Sequence, residues 1–166
     1  SIGVFLESFE RLGLSDNTYI FFTSDNGGMP VLPQQVNLGT PYIRGLNTPL
    51  LRGKWDLTEG GIRVPFAVAG PGVMKNSQSD TPVVSYDVLP TIFELASGSI
   101  KGLPERLDGG SLRDLIEGRS KVVERPSEYL VFHYPHYNRV GMNEPHSSIR
   151  GGNMKLIRFP VSKREL

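Results

Sequence analysis

The chain of 166 residues is 38% hydrophobic and 21% charged, enough length and apolar content for one ordinary domain with a core, and unlike a disordered or fibrous sequence. Eighteen Lys and Arg against 17 Asp and Glu leave a net charge of +1, and no basic block stands out, so the charge pattern of a nucleic-acid or anionic-membrane binder is missing. The absence of cysteine excludes disulfides and thiolate metal sites within this stretch.

The sequence opens without a signal peptide, as though already inside a helix, and ends on NMKLIRFPVSKREL with no turn or cap; both ends are expected to be interior to a longer chain. No apolar run approaches the roughly 18 residues of a membrane span. Ile2, Phe5, Leu6, Phe9 and Leu12 recur at helical spacing, and Gly13 is placed to stop an amphipathic helix packed on a sheet. Residues 18–23, TYIFFT, are β-formers in a near-continuous apolar run, which predicts a strand buried on both faces. From Met29 to Pro49 four prolines and no sustained period predict a long loop.

IRVPFAVAGPG, 62–72, predicts a second buried strand. Ser85 is read as the cap of a helix over YDVLPTIFELAS, ended by Gly98, and Ser111 with Asp114 as a capping box for a shorter one closed by Gly118. EYLVFHY is strand-like, and SSIRGGNMKLIRF reads as two strands joined by a Gly-Gly-Asn turn. The order predicts an α/β body over residues 1–124 and part of a small antiparallel sheet over 125–166.

Three clusters could carry chemistry. Asp25 and Asn26 place hard oxygen donors at a strand end, where ligands of open α/β sheets collect, with Gly27 and Gly28 allowing close backbone approach. Such donors select calcium or magnesium, although two are too few for a divalent ion, and Asp-Asn-Gly-Gly is equally a good turn sequence. In LRGKWDLTEGGIRVP, Lys54 is either a solvated lysine or a point charge for a tetrahedral anion, and Arg52 and Arg63 suit carboxylate pairing. Glu59 and Arg63 could pair to pin the Gly60-Gly61 turn. In FHYPHY, His133 and His136 stand among aromatics that suit sugar faces or simple packing. His146, in a Pro-Ser-rich stretch, is read as a surface histidine.

In order along the chain, NTYIFFTSDNGG, LRGKWDLTEGGIRVPFAVAGPG, VVSYDVLPTIFELA and SIRGGNMKLI resemble the type I sulfatases of the alkaline-phosphatase-like superfamily. The resemblance implies the C-terminal portion of that mixed-sheet α/β sandwich plus part of a small antiparallel subdomain. It implies that Asp25 and Asn26 help hold a divalent metal, calcium or alternatively magnesium, that Lys54 contacts the substrate sulfate and assists catalysis, and that His136 contacts substrate at the pocket rim. Glu59, Gly60, Gly61 and Arg63 are read as structural.

The family's formylglycine nucleophile arises in a C/S-x-P/A-x-R motif that this chain does not contain. The chain alone is therefore expected to be inactive, and its partners to be a sulfated small molecule or carbohydrate, together with self-association or a companion N-terminal fragment. Export to the periplasm or outside the cell is expected from the family. Two other readings stand beside this one: a phosphate or phosphonate ester hydrolase of the same superfamily, and a non-catalytic binding module on the same fold.

Overall fold

The computed structural model describes residues 1–29, 47–138 and 143–166, so the loop expected between Met29 and Pro49 falls largely outside the described residues. In chain order the elements are α1 (Ile2–Arg11), β1 (Ile20–Thr23), α2 (Glu59–Ile62), β2 (Phe66–Ala69), α3 (Val88–Ser97), α4 (Arg113–Ile116), β3 (Leu130–Tyr134), β4 (His146–Gly151), β5 (Met154–Phe159) and β6 (Arg164–Glu165). They gather into two compact units, one of residues 1–22 and 67–128, the other of 23–66 and 129–166. None of the described helices is long and apolar enough to cross a membrane.

In the first unit α1 forms where its apolar spacing predicts, but no residue of it is buried. Ile2 and Phe5 are each 56% exposed and Leu12 67%, and only Phe9 of this stripe is half-buried. The expectation of a helix packed on a sheet is corrected accordingly. The same holds for the strands: β1 and β2 are hydrogen-bonded neighbours, yet β1 is half-buried and then exposed, and β2 alternates between half-buried and exposed. Neither is buried on both faces, since among the described residues each has only the other as a strand neighbour.

The firm part of this unit is polar. Val84 starts a 3-10 turn over Ser85–Asp87 that runs into α3, whose cap position is Asp87 and not the expected Ser85; the Asp87 Oδ2 reaches back to accept the Val84 N–H at 2.9 Å. Asp87 is fully buried. Its carboxylate also accepts the Gly110 N–H at 3.0 Å and a forked pair of bonds from Arg125, 2.8 and 2.6 Å. A charge out of water is tolerable only when paired and hydrogen-bonded in this way. Gly98, at φ +79°, ends α3 as expected. Ahead of α4, the Ser111 Oγ accepts the Arg113 N–H at 3.2 Å. Asp114 turns to Arg119 instead, so the expected capping box is only half made.

The second unit holds a four-stranded antiparallel sheet in the order β3-β4-β5-β6. The predicted hairpin is present: Gly151 pairs with Met154 across a two-residue turn, and Gly152 sits at φ +53°. Alternation sends Leu130, His146, Ser148, Ile157 and Phe159 to the buried side, as the period of two in a strand requires.

Candidate functional site

The candidate residues lie in the second unit, on two loops tied together by their backbones. The Gly27 N–H donates to the Gly61 carbonyl at 2.8 Å, and the Lys54 N–H to the Gly28 carbonyl at 3.0 Å. Glycine is required here by proximity. A Cβ on Gly27 would lie 1.7 Å from the Gly60 carbonyl oxygen, one on Gly60 2.1 Å from that of Arg52, and one on Gly61 1.9 Å from that of Asp56. Side chains would therefore push the loops apart. Asn47 adds a clasp, its Nδ2 donating to the carbonyls of Gly28 at 3.0 Å and Arg52 at 2.9 Å.

Asp25 is exposed and Asn26 half-buried. The Asp25 Oδ1 accepts the Asn26 N–H at 3.0 Å, and the Asn26 Nδ2 donates to the Gly27 carbonyl at 2.9 Å. The amide is thereby turned so that its Oδ1, with the second Asp25 oxygen, is left without a partner among the described residues. Two hard oxygens with open lone pairs fit calcium or magnesium as a partial ligand set. Among the described residues no three His, Asp or Glu side chains cluster closely enough to hold a metal ion.

Lys54 is half-buried, forms no ion pair among the described residues, and has its ammonium 5.7 Å from the centre of the Trp55 ring. The backbone around it is unusual: Arg52 lies at φ +58° and Trp55 at φ +76°, a region costly for any side chain and rare for a bulky one. Several bonds hold it there. Arg52 Nη1 reaches the buried Asp56 Oδ2 at 2.6 Å and Asn143 Oδ1 at 3.0 Å, and Asn143 Nδ2 donates to the Trp55 carbonyl at 2.7 Å. Burial pushes the Asp56 carboxyl up, but the Thr58 hydrogen bonds and the Arg52 charge outweigh it and hold the group below the usual carboxylate range.

The remaining residues stand as follows. Glu59 pairs with Lys155 at 3.0 Å, correcting the expected Glu59–Arg63 pair. Lys155 projects from β5, which the spacing of the turn could not reveal. Exposed His133 bonds the Ser147 hydroxyl at 2.8 Å. His136, also exposed, meets the Tyr134 ring edge-on at 5.4 Å and makes no direct contact with Asp25, Asn26 or Lys54.

The surface reading of His146 is wrong: the ring is fully buried at the start of β4 and stacks on Phe159 at 5.1 Å. Its Nε2 accepts the Leu57 N–H at 3.2 Å, while Nδ1 donates to the Glu144 carbonyl at 2.6 Å. One nitrogen accepting and the other donating fixes a neutral tautomer. This ring fastens the Lys54 loop to the sheet. Sequence reasoning missed it, together with Asn143, because their partners are distant in the chain; Asp56 was missed although its partners Arg52 and Thr58 are near in sequence.

Comparison with known proteins extends these observations. A family model described as sulfatase matches residues 1–99, and one described as N-sulphoglucosamine sulphohydrolase, C-terminal, matches residues 53–166. Human steryl-sulfatase is 35% identical over 81% of this chain and 22% of its own length. Human N-acetylgalactosamine-6-sulfatase is 35% identical over 78% of this chain and 23% of its own. A structure solved in complex with its substrate D-glucosamine-2-N,6-O-disulfate superposes with a TM-score of 0.68 at 26% identity, covering 95% of this chain and 28% of the other. The chain thus spans about a quarter of the proteins it matches.

Proposed function

The chain belongs to the sulfatase family, and from that premise we propose that it is the C-terminal portion of an enzyme that hydrolyses sulfate esters. In this reading residues 1–124 complete the catalytic α/β domain and 125–166 form part of an antiparallel subdomain. The observation that carries it is the strap from the Gly28 carbonyl to the Lys54 N–H, which brings the loop of Asp25 and Asn26 against the loop of Lys54.

Asp25 and Asn26 would hold a divalent metal, calcium or magnesium, through the two open oxygens, with further ligands outside this chain. Such an ion supplies fixed positive charge beside a sulfate group. Lys54 donates hydrogen bonds from Nζ to a sulfate oxygen, and its charge counts for most as the S–O bond breaks and negative charge builds on the leaving oxygen. With no carboxylate bound to it among the described residues, that ammonium is open to an anion. The formylglycine nucleophile would lie in a part of the enzyme outside this chain.

A sulfated carbohydrate is the substrate class best supported. A structural relative at 26% identity carries a sulfated glucosamine as its substrate, and exposed His136 beside Tyr134 offers the ring and donor pair that suit a sugar. The test is made in the complete enzyme by following calcium-dependent thermal stabilisation and sulfate release from a sulfated glucosamine. Asp25→Ala should lose most of the calcium-dependent rise in melting temperature and most of the turnover. An unchanged rise would contradict the ligand role, and absence of sulfate release from the wild type would remove this substrate class.

A further inference from the structure

Resting on the assignment of Lys54 as the sulfate contact, we propose that Asn143 is a positioning residue that sets the direction in which Lys54 projects. Gly53 and Lys54 are bracketed by Arg52 and Trp55, both left-handed at φ +58° and +76°. Non-glycine residues keep that conformation only where their surroundings over-determine it.

The two ends of one planar amide do so here. Asn143 Oδ1 accepts from Arg52 Nη1 at 3.0 Å, and Asn143 Nδ2 donates to the Trp55 carbonyl at 2.7 Å. No other side chain described holds both bracketing residues in this way. Asn143 is itself well fixed: it is only 6% exposed, and its backbone exchanges two bonds with Asn138, at 2.8 and 2.9 Å. With the Asn47 amide on the Arg52 carbonyl, the Lys54 N–H on the Gly28 carbonyl and the Asn143 amide on the Trp55 carbonyl, the backbone is held before, at and after the lysine, and Asn143 anchors the Arg52 side chain as well. Among the described residues the Nζ is left only its contact with the Trp55 ring. The arrangement fixes the root of the side chain and leaves its tip free for an anion.

Asn143→Asp retains an acceptor for Arg52 but sets a second acceptor against the Trp55 carbonyl, so it should release the bracket on one side. In the complete enzyme its kcat should fall by about tenfold to a hundredfold, the range expected when a reacting group is displaced by about an ångström. KM should change less. The decisive readout is a double-mutant cycle with Lys54→Ala: a residue acting through Lys54 has little left to lose once the lysine is gone, whereas a merely structural residue lowers turnover by the same factor in both backgrounds.

Equal factors in the two backgrounds, or wild-type kcat in Asn143→Asp beside a deficient Lys54→Ala, would overturn the positioning role alone. Wild-type kcat in Lys54→Ala would overturn the sulfate-contact reading and this inference with it. Asn143→Ala, which adds no charge, enters the same cycle if the aspartate variant does not fold. Failure of both variants to fold would make Asn143 a folding residue and overturn the proposal.

Discussion

Helix α1 and the paired loops around Lys54 are opposite kinds of structure. The helix has a well-formed apolar stripe and no buried residue. The loops are held instead through their backbones, by carbonyls, amides and glycines that permit close contact. Hydrogen-bonded geometry is short in range and closes within a few residues of chain, whereas apolar burial needs a second surface of matching area. A segment can therefore hold well-bonded loops while an apolar helix face stays exposed.

That contrast can be broken or sharpened by substitution. The largest loss of stability is expected for Asp87→Ala, which strands the nearly buried Arg125 guanidinium without its partner, at a cost of about 3–5 kcal/mol in chemical denaturation. Gly60→Ala drives a Cβ against the carbonyls of Arg52 and Leu51, 2.1 and 2.4 Å away, and should cost on the order of 3 kcal/mol. A near-neutral result for either would mean that the surroundings of that residue are looser than their distances imply.

Acid should act on the loop of Lys54 more gently. The Asp56 carboxyl is held below its ordinary value in the folded protein. Its contribution is therefore complete above the unfolded value, about 4, and is lost as pH falls through the lowered folded value. Asp56→Asn should be less stable than the wild type at pH 7, and the gap should narrow from about pH 4 downward in pH-dependent unfolding. The smallest effect belongs to the helix: Phe5→Ser, at a position 56% exposed, should change the stability of this chain by less than about 0.5 kcal/mol. A loss of several times that would show that the helix face is covered in solution.

The legible parts of the fold were those with local causes. The β4–β5 hairpin follows from a two-residue turn with a left-handed glycine, and the end of α3 from Gly98 at φ +79°. Asp87 drew no reading because its strongest partner, Arg125, lies 38 residues on, and His146 was misread because polar neighbours in sequence say nothing of Leu57 and Phe159 in space. At the site, Asp25, Asn26 and Lys54 carried motifs, and the glycines beside them announced close approach. Asn143 carried no local signal, since both groups its amide engages, on Arg52 and Trp55, are remote in sequence.

The central claim is that Lys54, rooted by this network, meets the sulfate of the substrate. Steady-state sulfate release by the complete enzyme and by its Lys54→Ala variant tests it most directly, with melting temperatures measured alongside. The account predicts a fall in kcat of about a hundredfold or more with an unchanged melting temperature, and wild-type turnover in the folded variant would contradict it.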